Sequence, residues 1–200
     1  FLAAVSVALA KSPVEPQATY ESLKFIADNS QFFLNLSMVS AKATMDAAHG
    51  IADSSVVTAI ARNGRTTAVR VSGLGKAWFQ APSDNPVGLF FPGFSQEMAN
   101  PDLGDSAICE TAGFGGFSLA ASPALVQLVG GTVAQAVEYS REMADITVAR
   151  NPGLTLPNRD FAGSPCGIDV RKVVDTGIRP VLTTGIAHRE AGVGQVGAGL

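Results

Sequence analysis

Residues of the types that carry out chemistry are dense in residues 100–117, NPDLGDSAICETAGFGGF, called the polar stretch below. Its candidates are carboxylates, hydroxyls and glycines: Asp102, Asp105, Glu110, Ser106, Thr111, Gly113, Gly115 and Gly116. Glycine-rich backbone that leads to a helix start holds anions through its N–H groups, and Ser122-Pro123 predicts such a start nearby. Carboxylates beside it suit proton transfer or recognition of an amide. The polar stretch therefore predicts an anion-binding site.

The glycine group in this stretch has two interpretations. Gly113, Gly115 and Gly116 provide N–H donors for substrate binding in the first. The group lacks the Lys and Ser/Thr of a P-loop and does not match the GxGxxG pattern. In the second interpretation it forms a tight turn that lets Phe114 and Phe117 pack. The sequence leaves both open.

The three carboxylates differ in what their neighbours indicate. Asp102 follows Asn-Pro, a combination typical of turns, and we expect it to serve there. Asp105 and Glu110 are framed by Ser106 and Thr111, and we expect these four residues to act in catalysis or substrate binding. Capping and turn formation are the alternative for all of them.

A second candidate pair is His188 and Arg189, which follow a strand predicted for residues 178–184. Loops at strand ends often carry function, and an arginine side chain forks onto carboxylate or phosphate. We expect His188 as a catalytic residue and Arg189 as a substrate-binding residue for a planar anion. A solvated pair between Arg189 and Glu190 is the alternative.

Other polar residues are expected to be structural. His49 precedes Gly50 and is interpreted as a cap at a helix end. Arg70, on a predicted strand, is expected at the surface. Cys166 could be a nucleophile at a helix start, but no histidine adjoins it, so a small buried residue is favoured. Neither a His-x-x-x-His pattern nor a cysteine pattern accompanies the acids, so no metal and no cofactor is predicted.

Composition limits the classes of protein. The chain has 200 residues, 46% of them hydrophobic, enough for a real core. Its net charge is −3 and it has no basic block, which argues against nucleic acid as a partner. The apolar first ten residues are too short to span a membrane and predict the end of a buried helix. Two lone cysteines, Cys109 and Cys166, indicate reduced thiols in a cytoplasmic protein.

The predicted elements combine helices with a small sheet. Helices are expected over residues 15–29, 30–48, 122–129, 132–149 and 167–176, the fourth with a capping box. A β-hairpin is expected at residues 55–73 with Asn63 and Gly64 in a type I′ turn, and further strands at 78–79, 87–91 and 178–184. The glycine-rich tail from residue 185 is expected to lack regular structure. The fold class is therefore α+β, a small mixed or antiparallel sheet packed with several helices.

Several long strings resemble one family, among them FFLNLSMVSAKATMDAAHGI, FPGFSQEMANPDLGDSAICETAGFGGF and NPGLTLPNRDFAGSPCGIDVRKVVDTGIRP. They are similar to the bacterial DUF1116 family of YahG/YlbE-like proteins, over nearly the whole chain. The resemblance implies an uncommon α+β fold. It also implies that residues 1–200 are a single segment, most of the C-terminal half, of a larger protein with a further N-terminal portion and a short C-terminal tail.

The resemblance also implies a function. Some members are linked to purine and allantoin degradation as a subunit of oxamate carbamoyltransferase, which exchanges a carbamoyl group between oxalurate and carbamoyl phosphate. The implied partners are a small anionic substrate, an FdrA-like subunit and a third protein. The family carries no catalytic motif onto this sequence, so the site residues rest on their chemistry. A non-catalytic binding or scaffolding subunit is the competing hypothesis.

Overall fold

The computed structural model of the chain describes residues 1–127 and 129–200. It divides into two compact units, Phe1–Ser40 and Ala41–Leu200. Helices and antiparallel sheets both occur, which confirms the predicted α+β class. Among the described residues, the helices are too short or too polar for any of them to cross a membrane.

The first unit is helical, and its elements are α1 (Leu2–Ala10), α2 (Pro16–Asp28) and the first part of α3 (Phe32–Ala47). The carboxylate of Glu15 accepts the N–H of Ala18 at 3.0 Å, and Pro16 fits the first turn, so α2 starts as its sequence predicts. Neither α1 nor α2 contains a buried residue. The expectation that the first ten residues end a buried helix is therefore wrong for the described part of the chain.

The second unit combines strands with short helices. Its strands are β1 (Val57–Asn63), β2 (Thr66–Val71), β3 (Trp78–Pro82), β4 (Gly88–Phe90), β5 (Leu103–Gly104), β6 (Thr147–Leu156), β7 (Ala162–Ile168), β8 (Thr184–Ala187) and β9 (Gln195–Gly199). Its helices after α3 are α4 (Ile108–Thr111), α5 (Pro123–Gln127), α6 (Val133–Asp145) and α7 (Val170–Thr176). In the described part of the chain the strands form antiparallel sheets with the orders β3-β2-β1-β5, β4-β9-β8 and β6-β7.

The hairpin predicted for residues 55–73 is confirmed, but its turn lies one residue further along. The β1–β2 register places Gly64 and Arg65 in the two-residue loop. Gly64 has a φ of +80° and Arg65 does not have a positive φ, so the turn is not type I′. Asn63 acts from the position before the loop. Its side-chain oxygen accepts the N–H groups of Arg65 at 3.0 Å and Thr66 at 2.7 Å.

The glycine-rich tail contains β8 and β9, so the prediction that it lacks regular structure is wrong. β9 lies between β4 and β8 in its sheet. A Cβ on Gly197 would lie 2.5 Å from the carbonyl oxygen of Leu89, and one on Gly88 would lie 2.0 Å from that of Ala198. Distances this short leave no room for a side chain. The glycines therefore permit the close approach of β4 and β9 rather than breaking the strand.

The helix predicted for residues 132–149 is confirmed at its start and wrong at its end. Thr132 and Gln135 form the predicted capping box of α6. The helix is shorter than expected because the residues after it pair with β7 as strand β6. Pro152, which follows the predicted helix in the sequence, lies in β6 where the ladder is irregular. A bulge accommodates a residue that has no N–H to donate.

The helix predicted for residues 167–176 is α7, although its first two predicted residues belong to β7. Asp169 is its N-cap, and the carboxylate accepts the N–H of Arg171 at 2.9 Å. Gly177, with a φ of +70°, ends the helix as its position predicts.

The strand predicted for residues 178–184 is wrong. Residues 178–183 form no helix or strand, and β8 begins only at Thr184. Val181 and Thr183 make contacts with side chains and backbone elsewhere instead of a ladder: Thr183 donates its N–H to Glu110, and Val181 donates its own to the sulfur of Met143. The apolar residues Ile178, Val181 and Leu182 pack partly buried against the main core instead of forming a strand.

The main core of the second unit draws on four parts of the chain: β1, the polar stretch, the end of α6, and β7. Its buried side chains are Val57, Ile60, Ala107, Phe117, Met143, Ile146 and Ile168. Leu119, Val126 and Ala136 form a further cluster that packs α5 against α6. The helix predicted for residues 122–129 is confirmed at its start by α5, and residue 128 lies outside the described residues.

Candidate functional site

The polar stretch is anchored in the core rather than lying on the surface as a loop. It contains β5 and α4, and a 3-10 segment, Gly115–Ala121, begins near its end. Ala107 and Phe117 belong to the main core, and every residue of α4 is buried. Its candidate residues therefore have fixed neighbours, and each of them can be assessed by what it contacts.

Glu110 is buried, with 1% of its surface exposed, and it accepts three hydrogen bonds on one oxygen. Oε1 accepts the N–H of Gly116 at 3.1 Å, the N–H of Thr183 at 2.8 Å and the hydroxyl of Thr183 at 2.8 Å. Burial raises the pKa of Glu110, although the hydrogen bonds from Thr183 and Gly116 act in the opposite direction. The carboxyl group thus links the polar stretch to the segment that leads into β8.

Gly115 and Gly116 leave room for that link. A Cβ on Gly115 would lie 2.1 Å from Oε1 of Glu110, and one on Gly116 would lie 2.0 Å from the carbonyl oxygen of Val181. The N–H of Gly116 is already donated to Glu110. Of the two interpretations of the glycine group, these contacts support close packing for this part of it.

Gly113 and Thr111 also bond within the fold. The carbonyl oxygen of Gly113 accepts the hydroxyl of Ser164 at 2.5 Å, which joins the polar stretch to β7. The hydroxyl of Thr111 donates to the carbonyl oxygen of Ile108 at 2.6 Å. Gly113 has a φ of +92°, a conformation that favours glycine. A role for either residue in substrate binding stays a prediction.

Asp105 and Ser106 are the accessible candidates of the polar stretch. Asp105 is exposed and Ser106 is half-buried. Their backbone carbonyls accept the N–H groups of Ile108 at 3.1 Å and Cys109 at 2.9 Å, which starts α4. Within residues 1–127 and 129–200, neither side chain has a hydrogen-bond or ion-pair partner. Both side chains are therefore available to a ligand.

His188 and Arg189 lie at the far end of β8 from Thr183. Five residue steps separate Thr183 from His188, and roughly 3.3 Å per step sets an upper limit of about 16 Å on their separation. The Nδ1 atom of His188 accepts the N–H of Glu190 at 3.0 Å, and its ring meets Phe94 edge-on at 5.9 Å between centroids. Arg189 is exposed. The backbone N–H groups of His188 and Arg189 are donated to Gly194 and Met98, and among the described residues no hydrogen bond joins this pair to the glycine group.

Arg62, at the end of β1, is a buried charge that sequence reasoning missed. Its side chain is 1% exposed, and Nε donates to Oδ2 of Asp102 at 2.7 Å. Nη2 donates to the hydroxyl oxygen of Thr184 at 3.3 Å, and that hydroxyl donates to Oδ1 of Asp102 at 2.8 Å. Asp102, expected to serve only in a turn, is thus the partner of a buried arginine. An arginine ending an apolar strand was the available signal, but its partner is set by the pairing of β1 with β5.

A second polar cluster joins α3 to the hairpin. Arg70 donates from Nε to the hydroxyl of Thr58 at 3.1 Å and from Nη2 to Asp46 at 2.9 Å. Nδ1 of His49 lies 3.0 Å from the same Thr58 oxygen, so its ring does not cap α3 as expected. The expectation that Arg70 is a surface residue is wrong, because its side chain is 16% exposed. Hydrogen bonds from Lys42 and Arg70 lower the pKa of Asp46.

A metal site and a cysteine nucleophile are the two remaining kinds of chemistry that these side chains could provide. In the part of the chain that the structure describes, no group of three or more His, Cys, Asp or Glu side chains could hold a metal ion. Cys166 lies in β7 rather than at a helix start, and burial raises the pKa of its thiol. An activated cysteine nucleophile has a lowered pKa, so this environment does not activate Cys166.

The family described as "Oxamate carbamoyltransferase subunit AllG" matches residues 1–106, more than half of the chain. This chain belongs to the AllG family. The resemblance to YahG-like proteins and oxamate carbamoyltransferase subunits is thereby confirmed.

Two relatives of this chain are from Escherichia coli (strain K12). "Oxamate carbamoyltransferase subunit AllG" is 50% identical to this chain over 98% of the chain and 47% of its own length. "Uncharacterized protein YahG" is 48% identical over 90% of the chain and 38% of its own length. The chain therefore spans about half the length of the curated relatives it matches, or less.

The AllG-family fold also occurs in a solved structure. The crystal structure of a conserved protein of unknown function from Enterococcus faecalis V583 matches 98% of this chain and 47% of its own, with a TM-score of 0.93. The sequence identity is 44%.

Proposed function

We propose that this chain is part of a subunit of an oxamate carbamoyltransferase-type enzyme. The reaction transfers a carbamoyl group between oxalurate or oxamate and carbamoyl phosphate, within purine and allantoin catabolism. The observation that carries the proposal is 50% identity to an oxamate carbamoyltransferase subunit over 98% of the chain. The partners are a small anionic substrate, an FdrA-like subunit and other subunits of the enzyme, in the cytoplasm, with no cofactor.

Carbamoyl transfer requires hydrogen-bond donors that stabilise the carbonyl oxygen and the leaving phosphate. It also requires a side chain that transfers a proton. Asp105 and Ser106 have accessible side chains next to a buried segment, so we assign proton transfer to Asp105 and substrate contact to Ser106. Glu110 acts as a positioning residue, since its three hydrogen bonds hold the backbone around it. His188 and Arg189 bind an anionic group at the other end of β8.

The experiment is a carbamoyl-transfer assay on the complex assembled from the full-length subunit and its partners. Asp105→Asn should lower kcat by about 100-fold, because general acid–base catalysis contributes a rate factor of about this size. Arg189→Ala should raise KM for the anionic substrate. Arg141→Ala, which removes an exposed arginine on α6, is the matched control and should leave both constants unchanged. Wild-type rates in the Asp105 and Arg189 variants would remove both residues from the site.

The second candidate function is a non-catalytic binding or scaffolding subunit. Two observations favour it: the glycines at 115 and 116 are used in packing, and the first unit exposes large apolar side chains. The exposed apolar residues of that unit are Phe1, Leu2, Val7, Val14, Tyr20, Phe25, Phe33, Leu34, Leu36 and Val39. Surfaces of this kind are typical of protein interfaces.

Phosphate release from carbamoyl phosphate with oxamate separates the two functions. The catalytic proposal expects that release in the assembled complex falls when Asp105 is changed to Asn. The scaffolding proposal expects that release depends on the presence of the subunit but not on that side chain. Binding of carbamoyl phosphate or oxamate to the purified subunit would favour a place for the substrate on this chain.

A further inference from the structure

The guanidinium of Arg62 has a donor nitrogen that the fold leaves unused. Nε and Nη2 donate to Asp102 and Thr184, as described above. Nη1 is buried and has no hydrogen-bond acceptor within residues 1–127 and 129–200. A buried charged donor without an acceptor costs free energy, and such groups are rare in folded proteins unless they serve a ligand, a water or an ion.

The local charge decides which ligands suit this nitrogen. Asp102 pairs with Arg62 and Thr184 donates to the same carboxylate, so the positive charge is already neutralised. A phosphate dianion or a dicarboxylate at Nη1 would lie close to the negative charge of Asp102. A neutral carbonyl oxygen accepts an N–H without that repulsion. The site therefore favours the oxygen of an amide over an anionic oxygen.

We propose that Arg62, oriented by Asp102 and Thr184, binds the carbonyl oxygen of a small amide or carbamoyl group through Nη1. The inference rests on the proposed function and identifies the part of the substrate that this chain recognises. The –CO–NH₂ group is common to oxamate and carbamoyl phosphate. Arg62 is a substrate-binding residue in this assignment, and Asp102 and Thr184 are positioning residues.

The backbone of Gly104 lies beside the guanidinium of Arg62. Gly104 pairs with Arg62 between β1 and β5, and a Cβ there would lie 3.6 Å from Nη2. Its φ of +143° is a conformation that favours glycine. Because Nη1 is covered, a ligand reaches it only when a covering segment moves.

The test compares Arg62→Lys with the matched control Arg65→Lys, which changes an exposed arginine in the hairpin turn. Lysine keeps the charge beside Asp102 but cannot provide the forked donors of a guanidinium. The probes are oxamate and carbamoyl phosphate, which carry –CO–NH₂, and oxalate and inorganic phosphate, which do not. Binding to the full-length subunit is measured by calorimetry, and KM and kcat are measured in the assembled enzyme.

In Arg62→Lys we expect at least a tenfold rise in Kd for oxamate and carbamoyl phosphate. The Kd values for oxalate and phosphate should change less than twofold, and kcat should fall less than KM rises. Equal weakening of all four probes would overturn the inference, because it would indicate a structural or purely electrostatic role. Unchanged oxamate binding, or no oxamate binding by the wild type, would overturn it as well.

A failure of the proposed function would give a different experimental result from a failure of the Arg62 inference. An assembled enzyme without carbamoyl transfer, in which oxamate binding still depends on Arg62, would reject the activity and keep the amide site. Thermal unfolding of both variants is the accompanying measurement. A Tm of Arg62→Lys close to that of Arg65→Lys shows that a change in probe selectivity does not arise from loss of the fold.

Discussion

Glu110 accepts the backbone N–H of Thr183 at 2.8 Å, a contact between residues 73 positions apart in the chain. The same oxygen accepts the N–H of Gly116, so one buried carboxyl group holds two backbone segments together. It does so without a cationic partner in the described part of the chain. Glu110, one of the two carboxylates predicted to act in catalysis, thus links the polar stretch to the segment that leads into β8.

Two substitutions of Glu110 should distinguish the contribution of its hydrogen bonds to stability from the contribution of its charge. Glu110→Gln keeps an oxygen that accepts the three hydrogen bonds, so we expect little loss of stability near neutral pH. Glu110→Ala leaves buried donors of Gly116 and Thr183 unpaired and creates a cavity, so it should cost about 3 kcal/mol. Urea unfolding of both variants is the measurement. Equal stability of the two would show that the hydrogen bonds do not hold this part of the fold.

Glu110 also predicts a pH dependence of stability. Burial raises its folded-state pKa above the ordinary 4.5 of the unfolded chain. The folded protein then holds the proton more tightly, so this contribution to stability is fully present below pH 4.5 and is lost as pH rises through the folded pKa. The stability of wild type relative to Glu110→Gln should therefore fall with rising pH. The free energy of unfolding of both proteins is measured from about pH 4 upward, in steps of roughly one pH unit. A difference between the two proteins that stays constant over this range would contradict the raised pKa.

Asp102 should be needed for stability because it is the partner of a buried arginine. Asp102→Ala leaves the guanidinium of Arg62 buried without its counter-charge, and breaking such a pair costs about 3 kcal/mol or more. Asp84→Ala is the control, since Asp84 pairs with Arg179 where both side chains are more than four-fifths exposed. That exposed pair should contribute little. Calorimetric unfolding of the two variants gives the comparison.

Gly116 should not tolerate a side chain. A Cβ there would lie 2.0 Å from the carbonyl oxygen of Val181, and a backbone oxygen cannot move aside as a flexible side chain can. Gly116→Ala should therefore cost about 2 kcal/mol or more. Gly153→Ala is the matched control, because its Cβ would meet only the side chain of Asn151 at 3.4 Å, an ordinary contact. Similar unfolding midpoints for the two variants would contradict the packing role of Gly116.

Cys166 should react slowly with alkylating reagents. It is half-buried, and burial raises the pKa of its thiol above the ordinary 9.0, so little thiolate forms near neutral pH. The alkylation rate in the folded protein should be below that of free cysteine at pH 7.5, and should rise about tenfold per pH unit up to the pKa. Mass spectrometry that follows the Cys166 peptide measures the rate. A rate above that of free cysteine would identify an activated thiol.

Local signals predicted several elements because their causes are local. Thr132 and Gln135 cap α6 through residues only three apart, and Gly177 ends α7 through its own φ. The hairpin was predicted from two β-prone runs around Asn63 and Gly64, although the loop itself begins at Gly64. These features depend on the conformations of a few neighbouring residues, and the sequence of those residues is sufficient to show them.

Contacts between distant segments determine the strands that local sequence signals did not predict. The sequence Asn151-Pro152-Gly153 is typical of a chain segment that ends a helix, but β6 continues through it because β7 is a pairing partner. The glycines of the tail are typical of a loop, but in the structure their lack of a side chain allows β9 to approach β4. In both places the free energy of strand pairing outweighs the local propensity, and the partner strand is not visible in the residues themselves.

The sequence alone determined the fold class, the hairpin, the capped helices and the family, because local conformation and long shared strings carry that information. Tertiary structure alone decided the contacts and the exposure of the polar residues. It paired Asp102 with Arg62, used Glu110 as a link to Thr183, and left Asp105 accessible. Whether a carboxylate is buried, paired or accessible depends on which distant segments pack against it, and the residue types and their spacing do not contain that information.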